Sequence, residues 1–258
     1  VELSGRVEVE DLHKSLAGQP VLRGLDLRVE PGEAVAILGP SGCGKTVFLR
    51  HVVGLLTPDR GEVRLDGEAV HRLSPHRLRE VRAQVGVVFQ GAALFDSLTV
   101  GENVAFPLRR HRRLPESRIR EIVAEKLDLV GMGGTEDKMP AELSGGMRKR
   151  VGIARALALD PKIVLYDEPT AGLDPVTARA VDRLMTTVRV QTRTTTVLVT
   201  HDLLTAFAVA DRIAVMDAGR FVVTGPKDAV RACPHPLVQA FLHSSGLGGV
   251  SPEADGEA

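Results

Sequence analysis

Residues 39–46 read Gly39-Pro40-Ser41-Gly42-Cys43-Gly44-Lys45-Thr46 and fit the spacing G-x-x-x-x-G-K-[ST]. Glycines at this density let successive backbone N–H groups turn inward around phosphate oxygens, and a following helix offers them its positive end. In that pattern Lys45 reaches the β- and γ-phosphates of a nucleotide, while the Thr46 hydroxyl ligates Mg²⁺. Cys43 reads as a small residue of the loop, not as a redox group. Far along the chain an apolar run, Ile163-Val-Leu-Tyr166, ends in two adjacent carboxylates, Asp167 and Glu168. Asp167 is placed to hold Mg²⁺ through water, and Glu168 to polarise an attacking water. Tyr166 reads as packing.

These groups need a scaffold that carries them to one place. Residues 34–38, Ala-Val-Ala-Ile-Leu, form a short apolar run typical of a strand buried on both faces. The glycine turn and a helical stretch over about 45–55 follow, so the pattern opens a βαβ unit. In a parallel sheet the carboxyl ends of strands face the ligand crevice, which brings Asp167 to the phosphate loop. The first 75 residues otherwise read as strands (7–9, 21–29 and 62–65), separated by Gly and Pro. From about 91 to 160 helices dominate. Over residues 115–130 the side chains of Ile119, Ile122, Val123, Leu127 and Val130 recur at helical spacing, and Gly131 sits where the chain leaves the helix. After Pro161 the βα pattern returns: strand 163–166, helix 176–190, strand 195–200, helix 203–210. A hairpin over 213–217 and 220–224 turns at Ala218-Gly219. The expected domain spans 1–245, and the Gly-, Ser- and acid-rich tail at 246–258 is expected to be disordered.

Composition narrows the class. The 258 residues carry 33 Lys+Arg against 33 Asp+Glu, so binding through counterion release from nucleic acid is disfavoured. Seven Phe, one Tyr and no Trp leave few rings for stacking bases. The uncharged run at 83–95 falls well short of the ~20 apolar residues that span a bilayer. The first residues lack the basic and apolar regions of a signal peptide. Two cysteines, Cys43 and Cys233, make neither a disulfide framework nor a metal spacing. A soluble cytoplasmic α/β protein with no nucleic-acid partner is expected, and any membrane link must come from a partner.

A phosphate loop with a strand-end Asp also fits a kinase, a GTPase or a helicase. Leu143-Ser144-Gly145-Gly146-Met147 separates these. With the phosphate loop and Asp167-Glu168 it resembles the nucleotide-binding domain of ABC ATPases, over about residues 7–242. Gln90, after the strand at 85–89, is similar to the Q-loop glutamine of that family. Ser144-Gly145-Gly146 resembles its signature, Ala171-Gly-Leu-Asp174 its D-loop, and Thr200-His201-Asp202 its switch histidine segment. The resemblance implies a P-loop NTPase with a RecA-like parallel-sheet core, an N-terminal antiparallel β subdomain and an inserted α-helical subdomain. It implies ATP and Mg²⁺, with Thr46, Gln90 and Asp167 at the metal and Glu168, His201, Gln90 and Lys45 at the chemistry. Ser144 is also a good N-cap, so its helix offers a second anion site. Together these imply a head-to-tail homodimer, each ATP held between one subunit's Lys45 loop and the other's Ser144 helix. Asp174 would couple the two sites and His201 would contact the γ-phosphate. Two departures stand out: Leu16 occupies the place of an adenine-stacking ring, and Met147 replaces a frequent Gln.

The segment from Val87 to Leu108, with Leu-Ser-Gly-Gly-Met-Arg-Lys-Arg150, resembles ATP-binding subunits of Mla/Mce-type phospholipid (toluene-tolerance) transporters. This implies a membrane permease, an Mce-domain lipid-binding protein, and a place at the cytoplasmic face of the inner membrane. In the family the stretch after Gln90 docks a permease helix, so Leu94, Phe95 and Leu98 either line that groove or close the helical subdomain. Arg109 to Arg113 reads as a solvated loop or as a face for anionic headgroups. Another cargo (amino acid, metal or lipoprotein) and a non-transport ABC ATPase are the rival readings.

Overall fold

A computed structural model describes residues 4–247. Most of the proposed disordered tail, 248–258, lies outside the described residues; Gly246 and Leu247 lie inside, and the Leu247 amide donates to the Leu242 carbonyl at 2.9 Å. Two sheets carry the fold. The first is antiparallel, with β1 (Val7–Leu16), β2 (Gln19–Val29), β4 (Arg60–Leu65) and β5 (Glu68–Ala69) in the order β2-β1-β4-β5. The second contains β3 (Ala34–Leu38), β6 (Val85–Val88), β7 (Ile163–Asp167), β8 (Thr195–Thr200), β9 (Arg212–Asp217) and β10 (Arg220–Pro226). Its order is β10-β9-β3-β8-β7-β6, parallel throughout except for the β9–β10 hairpin.

The helices are α1 (Lys45–Val52), α2 (Pro75–Arg82), α3 (Val100–His111), α4 (Glu116–Leu129), α5 (Gly145–Leu157), α6 (Pro175–Thr192), α7 (Leu203–Val209), α8 (Lys227–Arg231) and α9 (Pro236–Ser244). The parallel sheet is buried on both faces, so alternate residues of β3 enter different cores. Ala36 and Leu38 pack with α3 to α7, whereas Val35 and Ile37 pack with α1 and the antiparallel sheet. That is why the run at 34–38 is apolar at every position. Helices α3, α4 and α5 form the inserted helical unit between β6 and β7. Among the described residues no helix is long and apolar enough to cross a membrane.

Where alternation marks a strand only at 7–9, β1 continues to Leu16. Asp11 takes a φ of 45°, and the register shifts between Val9 and Leu12, which breaks the period-2 pattern. The β1–β2 turn uses Ala17 and Gly18 at φ 48° and 79°, the paired left-handed geometry of a tight hairpin. That hairpin sets Leu16 above the phosphate loop. Helix α4 ends as its spacing requires, with Val130 as C-cap and Gly131 at φ 67°.

Candidate functional site

A cleft of about 450 Å³ lies where β3, β7 and β8 end. It is lined by Leu16, Val21, Ser41, Gly42, Gly44, Lys45, Thr46, Val47, Gln90, Glu168 and His201. The turn from β3 into α1 is glycine-dependent for a stated reason at two positions. A Cβ on Gly39 would sit 2.5 Å from the Met216 carbonyl oxygen and 2.7 Å from Cys43 Sγ. Gly44 has φ 114°, and a Cβ there would meet Leu22 at 2.8 Å. Gly44 also caps α1 without any side-chain hydrogen bond, so the first helical N–H groups face the loop uncapped. Cys43 is buried, and burial pushes its thiol up, which keeps it un-ionised and inert.

Lys45 is only 6% exposed; its Nζ donates to the carbonyls of Gly39 (2.8 Å) and Pro40 (3.0 Å) and lies 3.4 Å from Glu168 Oε1. The Thr46 hydroxyl donates to the Asp167 carboxylate at 3.2 Å. Burial pushes Asp167 above the ordinary carboxylate value, with Thr46 and Lys45 opposing that rise. A hydroxyl and a carboxylate side by side form a hard-oxygen pair. They suit a small octahedral cation that takes its other ligands from water and phosphate, as Mg²⁺ does. Among the described residues no cluster of three His, Cys, Asp and Glu offers an all-protein cage.

Glu168 follows β7 with φ 48°, an unusual conformation for a non-glycine residue. Its N–H donates to the Val199 carbonyl (2.9 Å), and its own carbonyl accepts from Ala171 N–H (3.2 Å). Its Oε2 accepts from His201 Nδ1 at 2.8 Å. With Nδ1 engaged, His201 presents Nε2 outward on a side chain 55% exposed. Behind it, Asp202 caps α7 through Leu204 N–H (2.8 Å) and accepts from Arg179 Nη2 (2.5 Å).

Ser144, Gly145, Gly146 and Asp174 lie outside the cleft. Ser144 is the N-cap of α5, its Oγ accepting from Met147 N–H at 3.2 Å. Asp174 is the N-cap of α6, accepting from the N–H groups of Val176 and Thr177, both at 3.0 Å. The two turns pack together: a Cβ on Gly145 would lie 3.3 Å from Leu173 and one on Gly146 2.5 Å from Thr177. They form a second polar patch on the same chain, with exposed Val176 beside it.

Sequence reasoning missed several participants. Val21 and Val47 extend the aliphatic wall begun by Leu16. Buried Lys149 donates to the Gln90 and Glu168 carbonyls, the latter at 3.4 Å. Its signal was available: position 149 lies on the stripe of Gly146 and Ile153, a lysine on an apolar face. Fully buried Asn103 holds the loop after Gln90, accepting from Phe95 N–H (2.8 Å) and donating to the Phe95, Leu98 and Thr99 carbonyls. Leu94 packs into the helical core, whereas Phe95 is exposed and lies against Phe106, ring centroids 4.7 Å apart. Phe89, Leu55, Val53 and Arg82 line an apolar groove of about 290 Å³ along the β6 edge. Phe95, Phe106 and Arg155 belong to a hollow of about 520 Å³ that shares Arg82 and Phe89 with it.

The profile of the family described as ABC transporter matches residues 22–171. A probable ribonucleotide transport ATP-binding protein of Mycobacterium leprae is 43% identical over 96% of this chain and 72% of its own length. The intermembrane phospholipid transport system ATP-binding proteins MlaF of Haemophilus influenzae and Escherichia coli are 37% and 38% identical, over 95% and 92% of this chain and 92% and 88% of their own. Among solved structures, the dimeric post-hydrolysis ATP-binding cassette MJ0796 with ADP and Pi superposes at TM-score 0.77, with 32% identity over 85% of this chain and 98% of that one. A cassette from Clostridium perfringens, part of the transporter complex cbiONQ, superposes at 0.80 with 30% identity over 90% and 94%.

Proposed function

Because the chain belongs to the ABC transporter family, whose ATP-binding subunits use ATP with Mg²⁺ to drive transport, we propose that its substrate system is a phospholipid transporter. It is an ATPase subunit, and its cleft holds the parts that phosphoryl transfer to water requires. The observation that carries the mechanism is the Lys45–Glu168–His201 cluster at the end of β3, β7 and β8, with Thr46 and Asp167 beside it.

Residues 39–46 bind the phosphates, with the uncapped α1 N–H groups and Lys45 countering their charge. Leu16, Val21 and Val47 provide an aliphatic seat for the base in place of a stacking ring. Thr46, Asp167 and Gln90 would hold Mg²⁺, which when bound would supply charge neutralisation to the phosphates. Glu168 accepts the proton of the attacking water. His201 Nδ1 contacts Glu168, which leaves Nε2 to meet a phosphate oxygen. Ser144-Gly145-Gly146 and Asp174 belong to a separate patch and complete the partner's site in a head-to-tail homodimer.

The groove along β6 and the hollow beside it receive a permease helix, with Phe89 and Phe95 as apolar contacts and Arg82 and Arg155 among their lining residues. Through that permease the chain sits at the cytoplasmic face of the inner membrane, with an Mce-domain protein as a further component. Phospholipid is favoured by the two MlaF relatives, which align over nearly their full length. The mycobacterial relative's name favours ribonucleotide as the second reading. Purifying the chain with its permease and extracting bound small molecules separates them: phospholipid supports the first, and ribonucleotide in excess of one per ATP site with no phospholipid supports the second. Glu168→Gln is expected to lower ATP turnover by about 10²-fold or more, and near-normal hydrolysis would remove Glu168 as the base.

A further inference from the structure

Lys149 is 5% exposed, yet no carboxylate oxygen lies within ion-pairing distance of its ammonium among the described residues. A buried cation without a direct ion pair is costly; burial pushes this one below the ordinary lysine value, while the more distant Glu168 and Asp167 carboxylates oppose the fall. Its hydrogen bonds go instead to two main-chain carbonyls from different segments: that of Gln90, and that of Glu168 at 3.4 Å. Both matter to the site. Gln90 ends the β6 segment between groove and cleft, and Glu168 is held at φ 48°. A left-handed non-glycine residue is strained and persists only where its surroundings over-determine it. Here Val199 fixes the Glu168 N–H, while Ala171 and Lys149 share its carbonyl.

We propose that Lys149 is a positioning residue that ties the Gln90 segment to the main chain of Glu168, so that a shift of residues 89–95 re-aims the Glu168 carboxylate. The proposal rests on Glu168 being the base. Lys149 itself touches no substrate; it acts through the peptide that carries Glu168. Because it projects from the helix capped by Ser144, it also links the signature turn to both segments. Loss of the tie frees Glu168 to leave its conformation, and misplacing a reacting group by about 1 Å costs roughly 10²-fold in rate.

The test compares Lys149→Met, which keeps length and apolar bulk but removes every donor, with Lys149→Arg, which keeps donors and charge. ATP turnover is measured for the full chain alone and with its permease, beside Glu168→Gln and thermal melts. Lys149→Met is expected to lower kcat by about tenfold or more with KM for ATP within about twofold, and to reduce the permease-dependent change in turnover. Lys149→Arg restores at least part of both. A Lys149→Met enzyme with wild-type kcat overturns the tie, as does a kcat loss that Lys149→Arg fails to relieve when its melting matches wild type. If Lys149→Met does not fold, Lys149→Leu, which also lacks every donor, takes its place, and a wild-type kcat and permease response there overturns the tie too. Normal hydrolysis by Glu168→Gln would instead remove the base assignment, whatever Lys149 does.

Discussion

Asp182 sits on α6 behind the His201 segment, 2% exposed, and it should make the fold less stable as pH rises. Arg179 Nη1 approaches its Oδ2 to 2.8 Å, yet neither carboxylate oxygen gains a hydrogen bond of good geometry. Burial is the main cause that pushes it up from 3.8 to about 6; Arg179, Thr205 and Arg183 oppose the rise and Asp202 adds to it. A folded-state value above the unfolded one means that the folded chain holds this proton more tightly. The group therefore costs nothing below 3.8, costs progressively more as pH climbs, and reaches its full penalty above about 6. At about 1.4 kcal/mol per pH unit, that interval amounts to about 3 kcal/mol. Asp182→Asn keeps the shape and removes the charge, while Asp202 still pairs Arg179 at 2.5 Å. Urea unfolding of both proteins from pH 4 to 8 isolates the effect, since every other carboxylate is common to the pair. The variant should match wild type near pH 4 and exceed it by about 2–3 kcal/mol at pH 7.5. Parallel curves, or a variant weaker at pH 7.5, would refute the argument that Asp182 is buried at a net cost.

Substitutions at two further sites test the packing around Gly146 and Asn103. Gly146→Ala places a methyl 2.5 Å from Thr177 Cγ2, so it should destabilise by about 1–3 kcal/mol, and Thr177→Ser, which deletes that methyl, should recover most of the loss. Asn103→Ala leaves the Phe95 N–H without its acceptor and the Leu98 carbonyl without its side-chain donor, whereas the Phe95 and Thr99 carbonyls keep the main-chain N–H groups of Leu98 and residue 103, for a cost of about 1–3 kcal/mol. Amide exchange should then rise across residues 95–99 and leave residues 39–46 unchanged.

What could be read before the structure was what depends on short-range order. The strand, glycine turn and helix at 34–52 are contiguous, and each has its own local cause, so spacing alone placed Lys45 and Thr46. Asp167 and Glu168 were legible because an uninterrupted apolar run ends on them. The rest depends on contacts between segments. The extension of β1 past Asp11 is supported by pairing with both β2 and β4, which no local pattern reveals. The short helices α2, α8 and α9 carry too few turns to show a period. Asp174 has the sequence look of a loop residue, yet it caps α6 two residues before the expected start. Leu94 and Phe95 are neighbours of similar character; only the packing of α3 and α5 sends one inward and the other to the surface. Lys149 is legible only through its place on the apolar stripe of Gly146 and Ile153, because its charge alone assigns a lysine to the solvated face of a helix.

Lys45 and Ser144 occupy separate patches of one chain, so the proposed enclosure of each ATP requires two subunits. Sedimentation of the Glu168→Gln protein with Mg²⁺ and saturating ATP, with bound nucleotide counted per chain, tests it directly. An ATP-dependent dimer holding one ATP per chain is expected, which Ser144→Arg in the same background converts to ATP-bound monomers. A Glu168→Gln protein that binds ATP and stays monomeric at every concentration, or a dimer indifferent to Ser144→Arg, would contradict it.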